Sequence, residues 1–413
     1  MAIDETAALR RARFAVTLAF AAHGLLSAAW VARIPQIKEH LGLTEGAMGV
    51  ALLGAPVGVV IAVRFAGRII GRWGSRATTI AAGVACALSL VPLGLAWNIG
   101  ALSVALLLMG GTLGLMDVAM NAQGVAVERG YERPLMSGLH GSYSIGTLVA
   151  ALVGAGAAQV GVPVAVHLAV AAAVVAAALV LGCRGLLDRS VETAPAVTLP
   201  EGAAPAAPSA SPVRASRWPL VMLGVIGLCS FVGEGAVADW SAVHLRESLD
   251  AAPGLAGLGY AGCAVAMTVG RLAGDRVVAR FGPVPVLRAG SLTAALGLGL
   301  GLAAGHPAAA VAGFTVFGLG VAVVAPVTFS AAGNVPGVPA ATGISRVTGV
   351  GYLGLLGGPP VIGFVADGVG LGWALAVPVA LVGLIVLLAP AAAPAGAARS
   401  RAGAAPDPAA RER

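Results

Sequence analysis

Gly67-Arg68-Ile69-Ile70-Gly71-Arg72 closes the second long apolar run of this chain, and Gly270-Arg271-Leu272-Ala273-Gly274-Asp275-Arg276 closes the eighth. The strings echo each other at the same place in two successive halves, so the chain reads as a doubled unit. Working outward from them, apolar runs with polar punctuation cover 14–33, 45–65, 77–96, 99–125, 136–159 and 162–183, then 219–241, 255–278, 284–304, 308–330, 342–365 and 371–388. A helix needs about 20 apolar residues to cross about 30 Å of hydrocarbon, and each run approaches that length. The expected fold is an all-α membrane protein with twelve transmembrane helices in two pseudo-symmetric six-helix bundles. Residues 1–183 form the first half and 218–390 the second. The stretch 184–217 has too few large apolar residues to pack a core and reads as a flexible linker, as does the tail 391–413.

Composition excludes most alternatives. Of the 413 residues 58% are hydrophobic and only 10% charged, against roughly 25% charged in soluble domains. The 60 glycines include the spacings Gly54-x-x-x-Gly58, Gly110-x-x-x-Gly114 and Gly297-x-x-x-Gly301, which let membrane helices approach closely. Cys86, Cys183, Cys229 and Cys263 have no spacing that clamps zinc or makes a redox pair, and read as small hydrophobes. A net charge of +7 raises the question of nucleic acid, but its distribution answers it. With the N-terminus inside, only Arg33, Lys38 and Arg246 of the 25 basic residues face outward, so the basic excess orients the chain with both termini cytoplasmic. The first run is full-length, contains His23 and ends in Arg33-Ile34-Pro35, which reads as a retained crossing rather than a cleaved leader.

Two six-helix halves, a central cytoplasmic linker and a Gly/Arg motif after the second crossing resemble the major facilitator superfamily. Its motif, roughly G-x-L-x-D-R-x-G-R-[KR], is matched by Gly67, Ile69, Arg72, Gly74 and Arg76, together with Arg68, while Gly71 stands where the family has an acid. The second copy, Gly270, Arg271, Asp275 and Arg276, keeps an acid. The resemblance makes these residues a cytoplasmic loop motif, with glycines for tight turns and arginines for the inner interface. Three further strings, 115–123, 231–240 and 357–363, are similar to the YbjJ-like bacterial group near the fucose permease branch of sugar:proton symporters. There an acid followed four residues later by Asn lies on helix four, matched by Asp117 and Asn121. A second acid lies in a Gly-rich setting on helix seven, matched by Glu234.

An acid at membrane depth costs about 2.5–3.5 kcal/mol on insertion scales, so each one invites a functional reading. Asp117 falls about 9 Å inward of the midplane at 1.5 Å per residue, with Asn121 one turn on along the same face. Glu234 lies between Gly233 and Gly235, which leave room for a solute or a neighbouring helix. Asp239 sits beside Trp240 near an interface, where acids are cheap. Glu234, Asp117 and His23 are the proton-coupling candidates. By the resemblance, helices one, four, seven and ten line the cavity, and Trp30, Asn121, Tyr143, Tyr260 and Phe317 are its expected walls. Each also has a plain packing reading. Arg33 with Pro35 reads as the interfacial end of the first helix.

The expected activity is proton-coupled secondary transport of a small polar solute, a sugar or sugar-like compound first, by alternating access in the bacterial plasma membrane. The alternative is proton-antiport efflux of hydrophobic compounds, whose G-P-x-x-G-G motif is replaced here by Gly141-Ser142-Tyr143-Ser144-Ile145-Gly146. The expected partners are the solute, protons and the bilayer, with no cofactor, no metal, no nucleic acid and a monomeric carrier. No metal-ligand cluster, nucleophile triad or phosphate-binding loop argues for an enzyme.

Overall fold

The computed structural model describes residues 2–43, 45–188 and 218–393. Most of the linker, 189–217, and the tail beyond 393 lie outside them. The first half comprises α1 (Ala2–Ala28), α2 (Ile34–His40), α3 (Glu45–Leu52), α4 (Gly54–Trp73), α5 (Ser75–Gly94), α6 (Ile99–Tyr131), α7 (Met136–Gln159) and α8 (Val164–Gly182). The second comprises α9 (Trp218–Val243), α10 (Pro253–Phe281), α11 (Pro283–Ala303), α12 (Pro307–Val321), α13 (Val324–Gly333), α14 (Ala340–Val369), α15 (Leu371–Ala374) and α16 (Ala376–Leu388). Ten described spans are long and apolar enough to cross a membrane by length and composition. The crossings made by α1 and α14 bring the total to twelve, and α1 falls short of that measure because it carries five charges before Phe14.

Proline explains why some crossings are broken. It lacks an N–H, and its ring crowds the carbonyl four residues earlier. Pro56 thus opposes Leu52, Pro326 opposes Ala322 and Pro378 opposes Ala374, and the helix is interrupted at each of these places: between α3 and α4, α12 and α13, and α15 and α16. The hydropathy runs are continuous there, so the second, tenth and twelfth crossings read as single helices from sequence. Several helices also outrun their apolar stretch; α6 continues to Tyr131 and α10 to Phe281.

The packing repeats between halves. α1 lies on α7, α4 on α6, and α5 on both α6 and α8; correspondingly α9 lies on α14, α10 on α12, and α11 on both α12 and α16. Missing side chains set how close these pairs come. A Cβ on Gly58 would stand 2.1 Å from the Leu107 carbonyl oxygen, and one on Gly318 would stand 2.2 Å from that of Cys263. The glycines singled out at 54, 110, 114, 297 and 301 also sit at helix contacts tighter than a Cβ allows. Phe20, Phe314 and Phe317 are fully buried, whereas Leu300, Leu387 and Phe364 are turned outward, as a hydrocarbon solvent permits.

The halves meet along α4 with α14 and along α7 with α10. Gly74 and Gly282 have φ of 81° and 80°, and each closes its helix by donating its N–H to the carbonyl four residues earlier. These equivalent turns fix the register of the repeat and correct the one read from sequence. Arg68 corresponds to Arg276 and Arg72 to Arg280, so Asp275 stands opposite Gly67 and not opposite Gly71. The second copy does not restore the missing acid of the first.

Candidate functional site

Glu234 lies on α9 at the junction of the halves. Ser230, one turn earlier, donates to Glu234 Oε1 at 3.0 Å, and Oε2 lies 3.5 Å from Arg271 Nη2. Arg271 Nη1 in turn donates to Ser144 Oγ on α7 at 2.9 Å, so one guanidinium ties both halves together. Arg271 therefore does not belong to a cytoplasmic loop, contrary to the sequence reading. It is buried, ten residues before the end of α10, because that helix continues well past its charged segment.

Asp117 and Asn121 occupy one face of α6, as their spacing requires. The Asn121 amide donates to the Asp117 carbonyl at 2.9 Å and to its carboxylate at 3.1 Å. Asn121 is fully buried, and its own amide oxygen has no hydrogen-bond partner among the described residues. The pair is held within its own helix, and among the described residues no cation pairs with it. Across the junction, Tyr352 of α14 is within electrostatic reach of Asp117 and Tyr143, and its ring meets Phe231 edge-on at 5.8 Å.

His23 on α1 donates Nε2–H to the Leu113 carbonyl at 3.2 Å, since a carbonyl can only accept. That leaves Nδ1 as an acceptor with no partner among the described residues. The ring packs against Tyr143 at 5.5 Å, and Ser27 donates to the Tyr143 hydroxyl at 3.4 Å. Tyr260 is half-exposed and within electrostatic reach of Tyr143, Glu234 and Arg271. His23, Tyr143, Tyr260, Glu234 and Arg271 thus form one neighbourhood contributed by both halves, with Tyr352 linking it towards Asp117.

One expected wall residue is core, and another is buried just past the end of α1. Phe317 is fully buried inside the second half, where its ring fills the space that Gly233 leaves by lacking a Cβ. It is core, and the glycine beside Glu234 makes room for this ring rather than for a solute. Trp30 is also buried, at the turn into the Val31–Arg33 helix, with its indole N–H unpaired among the described residues. Arg33 is not an exposed end; it is buried and donates to the Val162 carbonyl between α7 and α8. His140 is stacked on Phe329 and packs against the tilted ring of Phe20.

Of the loop motif, Gly67 packs against Thr342 across the junction, Gly71 is open, and Arg76 pairs with the exposed Asp188. Gly270 and Gly274 make helix contacts, against Ala322 and Ser137. Arg68, Arg72 and Arg276 are exposed.

The most informative group was not read from sequence. α7 begins with no capping side chain of its own at Leu135. Instead Glu128 of α6 accepts from the Leu135 and Met136 N–H groups at 2.8 and 3.1 Å. Asp275 of α10 accepts from Ser137 and Gly138, both at 2.8 Å. Two carboxylates so satisfy the N–H groups at a positively polarised helix start, one from each half. Glu128 also accepts from Ser330 of α13, and Arg129 donates to Gly333 and Asn334. Ser345 of α14 donates to the Val63 carbonyl of α4 at 2.7 Å. Among the described residues these bonds between halves gather towards one end of the molecule, the end bearing the α6–α7 turn. The only sequence signal was the Pro134-Leu135-Met136 start of a helix without a capping residue.

Two pseudo-symmetric six-helix bundles meeting around buried charged and aromatic side chains define a multi-pass membrane carrier. The profile of the Major Facilitator Superfamily matches residues 14–243. A transporter of Yersinia pestis, described as an uncharacterised MFS-type transporter, is 36% identical over 354 residues, covering 85% of this chain and 88% of its own. The chain belongs to the Major Facilitator Superfamily, a family of transporters and not of enzymes. Among solved structures, the E. coli fucose:proton symporter FucP aligns with a TM-score of 0.72 and 17% identity, over 92% of this chain and 98% of its own. The human organic anion transporter MFSD10 aligns with a TM-score of 0.73 and 15% identity, over 92% and 99%. At these identities the likeness concerns the fold.

Proposed function

We propose that this transporter is a proton-coupled carrier of a small polar solute, sugar-like in its hydroxyl pattern, working as a monomer in a bacterial plasma membrane. Both termini and the linker are cytoplasmic in this reading, and the halves 1–183 and 218–390 rock about their junction. The observation that carries it is the Glu234–Arg271 pair bridged to Ser144, because it sets an ionisable acid where the two halves separate. Around it, Tyr143 and Tyr260 offer ring faces and hydroxyls, and His23 Nδ1 and Asn121 Oδ1 offer acceptors to a polyhydroxyl solute. The fold shared with a protein named as a fucose:proton symporter agrees with this choice. On the same orientation the end closed by Glu128 and Asp275 is cytoplasmic, and the conformation faces outward.

The test is a thermal-shift screen of the purified protein against sugars, sugar acids, organic anions and lipophilic cations, since a solute that binds only the folded state raises its melting temperature. Each hit is then assayed in proteoliposomes with an imposed proton gradient. The proposal expects a polar hit that accumulates with the gradient and leaks out when a protonophore is added. Gradient-driven expulsion of lipophilic cations, with no polar solute accumulated, overturns it in favour of efflux.

A further inference from the structure

Three arginines converge on a groove that the carrier site does not use. The groove holds about 510 Å³ between α4 and α14, along the seam of the two halves. Arg64 and Arg68 enter it one turn apart from α4, Arg346 enters from α14, and Val60, Val350 and Leu353 supply apolar walls. All three guanidiniums are exposed, and none has an ion-pair or hydrogen-bond partner among the described residues. A charge so placed is costly in a membrane unless something satisfies it.

The groove opens beside an apolar outer surface. On the α4 face that carries Arg64 and Arg68, Val57, Ile61 and Phe65 are 45, 52 and 47% exposed; on the Arg346 face of α14, Leu353 and Phe364 are 55 and 81% exposed. Arg346 and Phe364 are eighteen residues apart, a whole number of helical turns, and so share one azimuth. Along the membrane normal the arginines belong to the end bearing the α6–α7 turn. Arg64 is nine residues before the end of α4 and Arg346 six residues after the start of α14, roughly 14 and 9 Å at 1.5 Å per residue. Both lie within about two to three turns of the helix ends at this face of the molecule.

We propose that this groove binds an anionic phospholipid, the phosphate and headgroup held by Arg64, Arg68 and Arg346 and an acyl chain lying along Val60, Val350 and Leu353. Guanidinium pairs phosphate oxygens in a bidentate fork, and basic pockets between helices on the inner side suit anionic headgroups. A soluble anion would satisfy the charges but leave the apolar walls unused. Because the arginines come from both halves, the lipid spans the seam and is bound best when this end is closed; it therefore biases the carrier towards the conformation described here. Assigning this end to the cytoplasmic leaflet rests on the orientation proposed above, but binding itself does not.

The test uses the full-length protein in detergent, exchanged with mixed micelles of phosphatidylglycerol and phosphatidylcholine and read by native mass spectrometry. The two lipids share acyl chains and phosphate and differ in net charge. Phosphatidylglycerol is expected to be retained about tenfold over phosphatidylcholine, and the Arg64→Gln/Arg68→Gln/Arg346→Gln variant to lose most of that preference. Each single Gln variant is expected to lower retention at least about twofold, which keeps the test valid if the triple variant does not fold. Equal retention of the two lipids by the wild type overturns the proposal. Preference undiminished in the variants overturns it too. Displacement of phosphatidylglycerol by inorganic phosphate alone shows a free-anion site instead. None of these readouts requires transport, so failure here is distinct from failure of the carrier reading.

Discussion

Arg271 lies 3.5 Å from Glu234 within its own half and 2.9 Å from Ser144 in the other, so a single buried cation reads both the charge of the acid and the position of the opposite bundle. Protonating Glu234 removes the counter-charge and frees Arg271 to rely on Ser144 or on solute. In the proposed reading, that is the physical form a coupling between proton, solute and bundle movement takes.

Glu234→Gln is expected to abolish accumulation of solute against a gradient while leaving equilibrative exchange, because the amide keeps hydrogen bonding but cannot bind a proton reversibly. Asp117→Asn is the parallel test, and Glu234 is favoured because it alone of the two has a cation partner. Uptake and counterflow in proteoliposomes separate the outcomes. Loss of both activities in Glu234→Gln marks a structural or solute-binding role. Concentrative uptake by both variants excludes the two acids and leaves His23 or a different coupling ion.

Breaking a buried ion pair from one side costs about 3–5 kcal/mol, because the surviving charge is left unpaired. Arg271→Gln is therefore expected to lower the melting temperature more than Arg271→Gln/Glu234→Gln, in which no lone charge remains. Melting in detergent for the two single variants and the double variant measures the coupling directly. Additive losses would show that the two side chains do not interact.

Asp275 is expected to hold one end shut. It accepts two N–H groups of α7 from the opposite half, and losing such a cap costs roughly 1–2 kcal/mol, or a factor of about 5 to 30 in a two-state ratio. Asp275→Ala should raise the rate at which a thiol reagent reaches a cysteine placed at Ala331 by a factor in that range. An unchanged rate would mean that Glu128 and Arg129 close this end without it.

The twelve crossings and their division into halves were legible because hydrophobic length is a property of the local sequence. The helix breaks were written just as locally, in Pro56, Pro326 and Pro378, but a reading by hydropathy passes over them. Glu234 and Asp117 stood out because acids are rare in apolar runs. Arg271 was misplaced for the converse reason: it adjoins a basic string, and nothing local tells that α10 buries it some ten residues before its end. Phe317 was taken for a wall because its helix was expected to line the cavity, while the missing Cβ of Gly233 that receives its ring lies on another helix. The caps on α7 join residues 138 apart in one case and 7 in another, and only the first needs the whole fold to be known.

Helix approach gives a test of packing. Gly58 faces the Leu107 carbonyl and Gly110 faces that of Ala55, each nearer than any Cβ tolerates. Gly58→Leu and Gly110→Leu are expected to destabilise the first half by about 3 kcal/mol or more, at the upper end of overpacking effects. Gly71→Leu, whose Cβ would meet nothing within 4 Å, serves as the tolerated control. Similar melting temperatures for all three would show that α4 and α6 can part without cost.

The proposed orientation rests on charge, and it can be tested where the chain is easiest to reach. Cytoplasmic segments retain Lys and Arg because translocating them is unfavourable, and of the 25 basic residues only Arg33, Lys38 and Arg246 fall on the other side in the proposed topology. With the four native cysteines buried, a single cysteine at Ser209, in the linker and outside the described residues, reports its side of the membrane without competition. A membrane-impermeant maleimide is expected to leave it unlabelled in intact cells and to label it fully once the membrane is opened. A second cysteine at Val160, exposed at the end of α7, should behave in the opposite way. Labelling of Ser209→Cys from outside would invert the molecule. It would then place the closed end outside, and the conformation described here would face the cytoplasm.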